Sequence, residues 1–292
     1  MTKTLILGAA YVDVVVNVPQ LPFSGGDVTG DLKSAVVGGS AFNVYGAMSY
    51  VNADADLFVP IGKGQYANLV RNELQAKQIP ELLSVSDADN GWDISMVEPS
   101  GERSFLTIPG IDQIWKNDWL ERVDLDDYKY FYVSGYQVEN EQIANSVLEA
   151  LSKRSNDAYL LFDASPRISH LTQRTINQLL TKNVIIHCNE DEIEYFGATG
   201  DSLDEIAQKI YLKTHSPVLF TLGSKGTYYF DGNQSATIPG EKVAVVNTIG
   251  AGDTHCGGFL AGLSAGKSIA DSIKLANKLA AKVVARESPS LL

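Results

Sequence analysis

A three-layer α/β architecture, with a mostly parallel central sheet flanked by helices and a small β-sheet lid beside it, follows from the order of apolar and polar runs in these 292 residues. Six short apolar runs read as strands, at Thr4–Gly8, Leu57–Ile61, Tyr130–Ser134, Tyr159–Asp163, Val184–His187 and Val218–Leu222. Helix-like stretches separate most of them, at Ala41–Val51, Ala67–Lys77, Glu141–Lys153, Thr172–Leu180 and Ser202–Lys213. Strands and helices alternating at this spacing imply parallel pairing with helices on both faces. Two segments depart from the alternation. Val12–Val37 and Trp92–Ile108 look like alternating strands joined by the turns Phe23-Ser-Gly-Gly-Asp27 and Glu98-Pro-Ser-Gly-Glu102. They predict an antiparallel flap, a lid formed by about 12–37 and 91–109. From Asp253 to Arg286 the chain becomes Ala/Gly-rich and helical, with a break near Gly266. No repeat or Pro/Gly/Ser-rich linker divides it, so residues 1–292 are expected to form one domain.

Composition narrows the function. Hydrophobic residues make up 45% of the chain and charged residues 20%, ample for a large core. The formal net charge of −12, with no local Lys/Arg cluster to offset it, argues against nucleic-acid binding. An anionic ligand is then expected only where backbone N–H groups and a metal ion collect locally. The two cysteines, Cys188 and Cys256, fit a reduced, cytoplasmic setting. The first apolar run is too short for a membrane span and is interrupted by Asp13, so it reads as a buried strand.

The strongest chemical signal is Asn247-Thr-Ile-Gly-Ala-Gly-Asp253, between the apolar run Val243–Val246 and a helical run. A Gly250-Ala251-Gly252 turn entering a helix leaves several N–H groups unpaired and aimed at one point, and the helix dipole adds positive potential there. That suits a phosphoryl group. Asp253 sits where an acceptor hydroxyl would approach such a group, so it can take the hydroxyl proton as a general base. Taken alone, the same aspartate reads equally well as an ordinary helix N-cap.

Together with four further features, these residues resemble the ribokinase/PfkB carbohydrate kinase family. The late family pattern, Asp/Asn-Thr-x-Gly-Ala-Gly-Asp, is matched at each fixed position by Asn247–Asp253. The early Gly-Gly pair followed by Asn appears as Gly38-Gly39-Ser-Ala-Phe-Asn43, and Asn-x-x-Glu as Asn189-Glu-Asp-Glu192. Thr-x-Gly-x-x-Gly appears as Thr221-Leu-Gly-Ser-Lys-Gly226, and the first-strand Asp as Asp13. The resemblance implies a ribokinase-like fold and transfer of the ATP γ-phosphoryl group to a primary hydroxyl of a small sugar or sugar derivative. It implies that Asp13, Gly39 and Asn43 bind the sugar, and that Glu192 organises Mg²⁺. It places Asn189, Thr221, Gly223, Gly226, Thr248 and Asn277 around the nucleotide. Asn90–Arg103 resembles the family lid, which puts Arg103 and Trp92 near substrate, and Asp163-Ala-Ser-Pro-Arg167 resembles a motif of acidic-sugar kinases that puts Arg167 there too. Lid-to-lid homodimers are common among relatives.

The chain departs from the pattern in places. His255 stands where relatives commonly carry Phe, and is expected to be core or to tune the helix start. His187 and Cys188 end a strand with no partner cluster in the sequence. Ala261–Ser268 is one residue short of a phosphate-loop match but follows a helix, so it reads as a helix ending at Gly266. Relatives bind a monovalent cation and cover adenine with an Arg-x-Gly-Ala-like loop; Arg286–Leu292 does not follow it, which sets the monovalent cation apart from the ATP and Mg²⁺ expectations. The nearest rival is a nucleoside kinase of the same family, with Trp92 or Phe42 as a stacking surface. A non-catalytic sensor on the same fold and a dinucleotide oxidoreductase are the others; Gly8-Ala-Ala-Tyr-Val-Asp13 lacks the glycine fingerprint of the latter.

Overall fold

The computed structural model describes residues 2–197, 200 and 202–292. In chain order its strands are β1 Lys3–Leu7, β2 Tyr11–Asn17, β3 Asp31–Gly38, β4 Ala55–Phe58, β5 Pro60–Ile61, β6 Leu83–Ser84 and β7 Trp92–Val97, then β8 Arg103–Ile108, β9 Tyr128–Ser134, β10 Tyr159–Asp163, β11 Val184–Asn189, β12 Val218–Thr221, β13 Thr227–Phe230 and β14 Ser235–Ile238. The α-helices are α1 Ser40–Tyr50, α2 Gln65–Ala76, α3 Gly135–Val138, α4 Glu141–Leu151, α5 Gln173–Leu179, α6 Leu203–Thr214, α7 Ala251–Ser264 and α8 Ile269–Val284.

Eight strands form the main sheet in the order β14-β13-β12-β11-β10-β9-β1-β4. Pairing is parallel from β12 to β4, and β13 and β14 extend it as antiparallel strands. The apolar runs are continuous because both faces are buried, yet side chains still alternate by face. Leu5, Leu7, Phe131, Val133, Leu160 and Phe162 enter one apolar layer, closed by α4, α5 and α6 through Val147, Ile176 and Ile210. Ile6, Tyr132, Leu161 and Leu219 enter the other, closed by α1, α2, α7 and α8 through Val44, Val70, Phe259 and Ile273. That is the predicted three-layer arrangement. No helix among the described residues is long and apolar enough to cross a membrane.

The lid is a separate four-stranded sheet, β3-β2-β7-β8. Its two outer pairs are antiparallel as expected, but the central pair, β2 with β7, is parallel. The two lid segments are separate excursions of the chain, so nothing obliges their strands to run in opposite directions as hairpin strands must. The expectation of an all-antiparallel flap is corrected accordingly. The apolar run Val243–Val246 is exposed loop, with Val245 68% and Val246 56% accessible.

Helix ends are treated in two ways. Asn140, Thr172, Ser202 and Ser268 cap α4, α5, α6 and α8 with side-chain oxygens, and Asp89 accepts from the Tyr66 and Ala67 amides of α2. The caps of α1 and α7 are Gly39 and Gly250, with no side-chain hydrogen bond. These two ends stay open, and they lie side by side because α1 and α7 pack closely. A Cβ on Gly257 of α7 would drive into the Val44 carbonyl oxygen and the Ala47 side chain of α1.

Gly257→Ala should therefore destabilise the protein by about 1–3 kcal/mol in urea unfolding, the overpacking cost outweighing the better helix propensity of alanine. An unchanged or raised midpoint would show that the two helices can separate freely.

Candidate active site

Ligands of parallel α/β sheets bind beyond the carboxyl ends of the strands, where loops and helix N-termini converge. Here β10, β11 and β12 end at Asp163, Asn189 and Thr221, and the open ends of α1 and α7 meet the same edge. The sequence separation among these residues is large; the sheet brings them together.

Gly250 holds the turn into α7 at φ 76°, a left-handed conformation that favours glycine, and a Cβ there would strike the Pro289 carbonyl oxygen. Ala251 N–H bonds the Thr248 carbonyl and Thr254 N–H the Gly250 carbonyl, while no described hydrogen bond occupies Gly252 or Asp253 N–H. Gly252 faces open space. Two amides and the positive end of a 14-residue helix thus point outward, as an anion site requires. Asp253, in the first turn, accepts from Asn43 Nδ2 of α1 at 3.0 Å. Burial, then the charge of Asp163, push its carboxyl up to about 7, against the opposing Asn43 bond and His187. A carboxylate poised near neutral pH is suited to taking a proton. Asn43 is buried, and its Oδ1 has no partner among the described residues, so it is free to accept from a ligand hydroxyl.

Asp13 lies on β2 in direct register with Asp93 on β7. Burial and then Asp93 push the Asp13 carboxyl up to about 8, with Arg103 opposing from the lid. Gly38 is bare because a Cβ there would collide with Asp13 Oδ2, and Gly39 caps α1 against the Ala9 carbonyl. Asp93 was not legible as a site residue: its only signal is a cross-strand pairing between segments 80 residues apart. Arg103 is exposed at the start of β8. Arg167, just beyond β10, stacks over the Tyr136 ring at 5.5 Å and lies 3.4 Å from Glu139 Oε1. Tyr136 in turn lies within the fields of Asp253, Asp163 and Glu192, so Arg167 borders the same cleft. Phe42 is wholly buried core and offers no stacking surface, and one face of Trp92 is covered by Tyr66 at 4.8 Å and 13°.

On the other side, Glu192 is 6% exposed and both its oxygens accept from Asn189, from N–H and Nδ2, each at 2.9 Å. Burial, and then Asp163 among its neighbours, push its carboxyl up. A hard cation brought near this oxygen pair would relieve that cost, so the residues present fit Mg²⁺. Thr221 Oγ1 donates to the Cys188 carbonyl, Gly223 (φ 56°) faces open space, and Gly226 lies against the Ile238 carbonyl. Thr248 is exposed beside the anion turn. Asn277 is otherwise engaged: Nδ2 donates to the Ile238 and Pro239 carbonyls, and Oδ1 meets Thr227 and His255. These bonds tie it to the loop after β14. Residues 287–291 fold back over the α7 turn, with Asn247 Nδ2 donating to the Glu287 carbonyl at 2.9 Å and Leu291 buried.

The histidines also differ from expectation. His187 has a partner cluster: Asp163, His187 and Cys256 bring an oxygen, a nitrogen and a sulfur within 4.8 Å, all buried. Cys188 is not part of it. His255 lies beside His187, with ring centroids 5.0 Å apart and the rings tilted by 35°. Only the tertiary fold reveals this grouping.

Known proteins share the fold and the family pattern. A family model described as pfkB family carbohydrate kinase matches residues 1–291. The uncharacterized sugar kinase YegV of Escherichia coli (strain K12) is 31% identical over 266 residues, covering 90% of this chain and 82% of that protein. An adenosine kinase of Saccharomyces cerevisiae is 26% identical over 251 residues, 78% of this chain and 72% of that one. A ribokinase structure from Thermotoga maritima superposes with a TM-score of 0.84 at 22% identity, over 99% of this chain and 94% of that chain. The molecule is a kinase with the ribokinase-like fold. The chain belongs to the pfkB family of carbohydrate kinases.

A carboxyl raised in the fold binds a proton that the unfolded chain releases, so ionising Asp253 costs stability as pH climbs from about 4 to about 7. Asp253→Asn removes that cost and keeps an acceptor for Asn43. The variant should be more stable than wild type at pH 8 by on the order of 2 kcal/mol, a gap that closes as pH falls toward 4. Parallel stability-versus-pH curves would contradict the raised carboxyl.

Proposed function

We propose that this kinase transfers the γ-phosphoryl group of ATP to a hydroxyl of a small carbohydrate, with Asp253 as general base. The observation that carries the reading is the Asp253 carboxylate, held by Asn43 and set at the mouth of the unpaired Gly252 and Asp253 amides. Asp253 takes the proton of the acceptor hydroxyl as its oxygen bonds to the γ-phosphorus. The bond from that phosphorus to the ADP oxygen breaks, and ADP leaves with the electron pair. The Gly250-Ala251-Gly252 turn stabilises charge on the transferred group. Bound Mg²⁺ would neutralise phosphate charge, and Glu192, fixed by Asn189, would organise it through water.

Asp13, Gly39 and Asn43 would hold the sugar, with Asp93 opposite and Arg103 and Arg167 at the rim. Asp13 and Asp93, each pushed up by burial, together offer one acid O–H and several acceptor oxygens, which suits a polyol and disfavours an acid sugar. Asn189, Thr221, Gly223, Gly226 and Thr248 would border the nucleotide. The exposed apolar run Val243–Val246 beside the turn gives adenine a surface to cover, which an exposed loop of valines otherwise lacks. Leu32 and Val36 on one lid edge, and Phe105 and Leu106 on the other, are exposed and support a lid-to-lid homodimer. A nucleoside acceptor is the second reading, supported by the yeast adenosine kinase relative and by the partly exposed Trp92 on the lid.

An ADP-release screen of neutral sugars, acid sugars and nucleosides with ATP and Mg²⁺ tests the reading. A neutral pentose or hexose should be the best acceptor, and Asp253→Asn should lose at least ~10²-fold in kcat while ATP affinity changes only a few-fold. Turnover of nucleosides alone would install the second reading, and near-normal kcat in the variant would remove Asp253 as the base.

A further inference from the structure

Behind the base lies a buried chain of polar groups that the phosphoryl transfer just described does not use. Asp163 Oδ1 meets His187 Nδ1 at 2.7 Å, His187 Nε2 meets His255 Nδ1 at 3.0 Å, and His255 Nε2 meets Thr227 Oγ1 at 2.8 Å and Asn277 Oδ1 at 3.1 Å. Both imidazoles are at most 3% exposed, so water does not complete their hydrogen bonding. Every hydrogen must therefore come from within the chain.

The inventory of hydrogens starts at Asn277. Its Nδ2 faces the Ile238 and Pro239 carbonyls, which fixes the amide orientation and leaves Oδ1, a pure acceptor, facing Thr227 and His255. With the proton of His255 on Nδ1 instead, two lone pairs would confront each other at 3.1 Å. His255 therefore carries its proton on Nε2. Burial and the neighbouring His187 keep its ring neutral, so Nδ1 is an acceptor. His187 must then donate from Nε2. A second proton lies in the 2.7 Å contact between His187 Nδ1 and Asp163. On whichever side of that bond it rests, the Asp163–His187 pair is neutral as a unit. Tyr132 O–H and the Cys256 thiol complete the Asp163 carboxyl, and both stay protonated because burial pushes them well up.

Asp163 is also the charge that acts most strongly on Asp253. We propose that His255 is a positioning residue for the base: by accepting from His187 Nε2 it keeps the Asp163–His187 pair neutral beside Asp253. The proposal rests on Asp253 being the base, but the proton arrangement itself does not. The other titratable or charged groups around this chain are Tyr136 on α3, Arg167 beyond β10, and Cys188 and Glu192 around the end of β11. None of them accepts from His187 Nε2 among the described hydrogen bonds.

His255→Phe puts in place the residue relatives commonly carry, and leaves His187 Nε2–H buried without an acceptor. The cheapest relief is loss of that proton, which makes the pair anionic and holds a proton on Asp253 to higher pH. The acid limb of kcat should move up by about one pH unit. His255→Asn places an oxygen where Nδ1 stood and should bring the limb back. Both variants deprive Asn277 of its imidazole partner, so a change in KM for ATP common to both reports only structural loosening. A limb that stays put in His255→Phe, or moves equally in both variants, would overturn the proposal.

The second readout needs no activity. In ¹⁵N NMR of the purified full chain, both His187 and His255 should show a proton on Nε2. A bare Nε2 on His187, or stoichiometric zinc on Asp163, His187 and Cys256, would overturn the arrangement. Failure of every acceptor to turn over would instead remove the kinase substrate reading and leave the NMR result to decide the relay.

Discussion

The close approach of α1 and α7 is the constraint on which the site depends. Both helices begin at a glycine cap with open amides, and both point at the carboxyl edge of the parallel strands. Gly257 lets their backbones come within contact of Val44, and only at that separation can Asn43 reach Asp253. α7 is pinned on its far side as well, where Gly258 and Gly262 admit α8 at Ala276 and Ser272. The small residues of α7, which give it little amphipathic character of its own, make sense as spacing. They set the position of a carboxylate to within a hydrogen bond.

That carboxylate is costly to the fold. Asp163 lies close enough to raise both Asp253 and Glu192, in an interior where charge is poorly solvated. Structure responds with neutral donors: Asn43 to Asp253, Asn189 to Glu192, and Tyr132 to Asp163. Cationic side chains stay at the rim, at Arg103 and Arg167, so the central negative charge is left for a cation and phosphates to organise. A site that is destabilising when empty and ionised is the usual companion of strong transition-state binding.

The main elements were legible in the sequence because each is a local signal. Tyr159–Asp163 was predicted residue for residue, and the glycine turn at 250–252 announced the start of α7. Residues that depend on long-range pairing were not legible. Asp93 becomes a partner of Asp13 only through the parallel β2–β7 register, a direction that hairpin reasoning misses. His187 and Cys256 are 69 positions apart and meet because β11 ends beneath α7. The apolar run Val243–Val246 carries no sequence signal of its exposure, and it forms the open loop leading into the turn. Asn277, expected beside the nucleotide, also bonds β13, α7 and the loop after β14, contacts that no local pattern announces. In each case the missing information was which distant segment lies opposite.

The claim that α1 holds the base in place can be measured by a double-mutant cycle between Asn43→Ala and Asp253→Asn, read in kcat with the acceptor saturating. If Asn43 acts through Asp253, its removal should lower kcat by at least ~10-fold in the wild-type background and by little in the Asp253→Asn background, a coupling of at least about 1.4 kcal/mol. Equal losses in both backgrounds would mean that Asn43 serves the substrate alone and that the helix contact does not position the base.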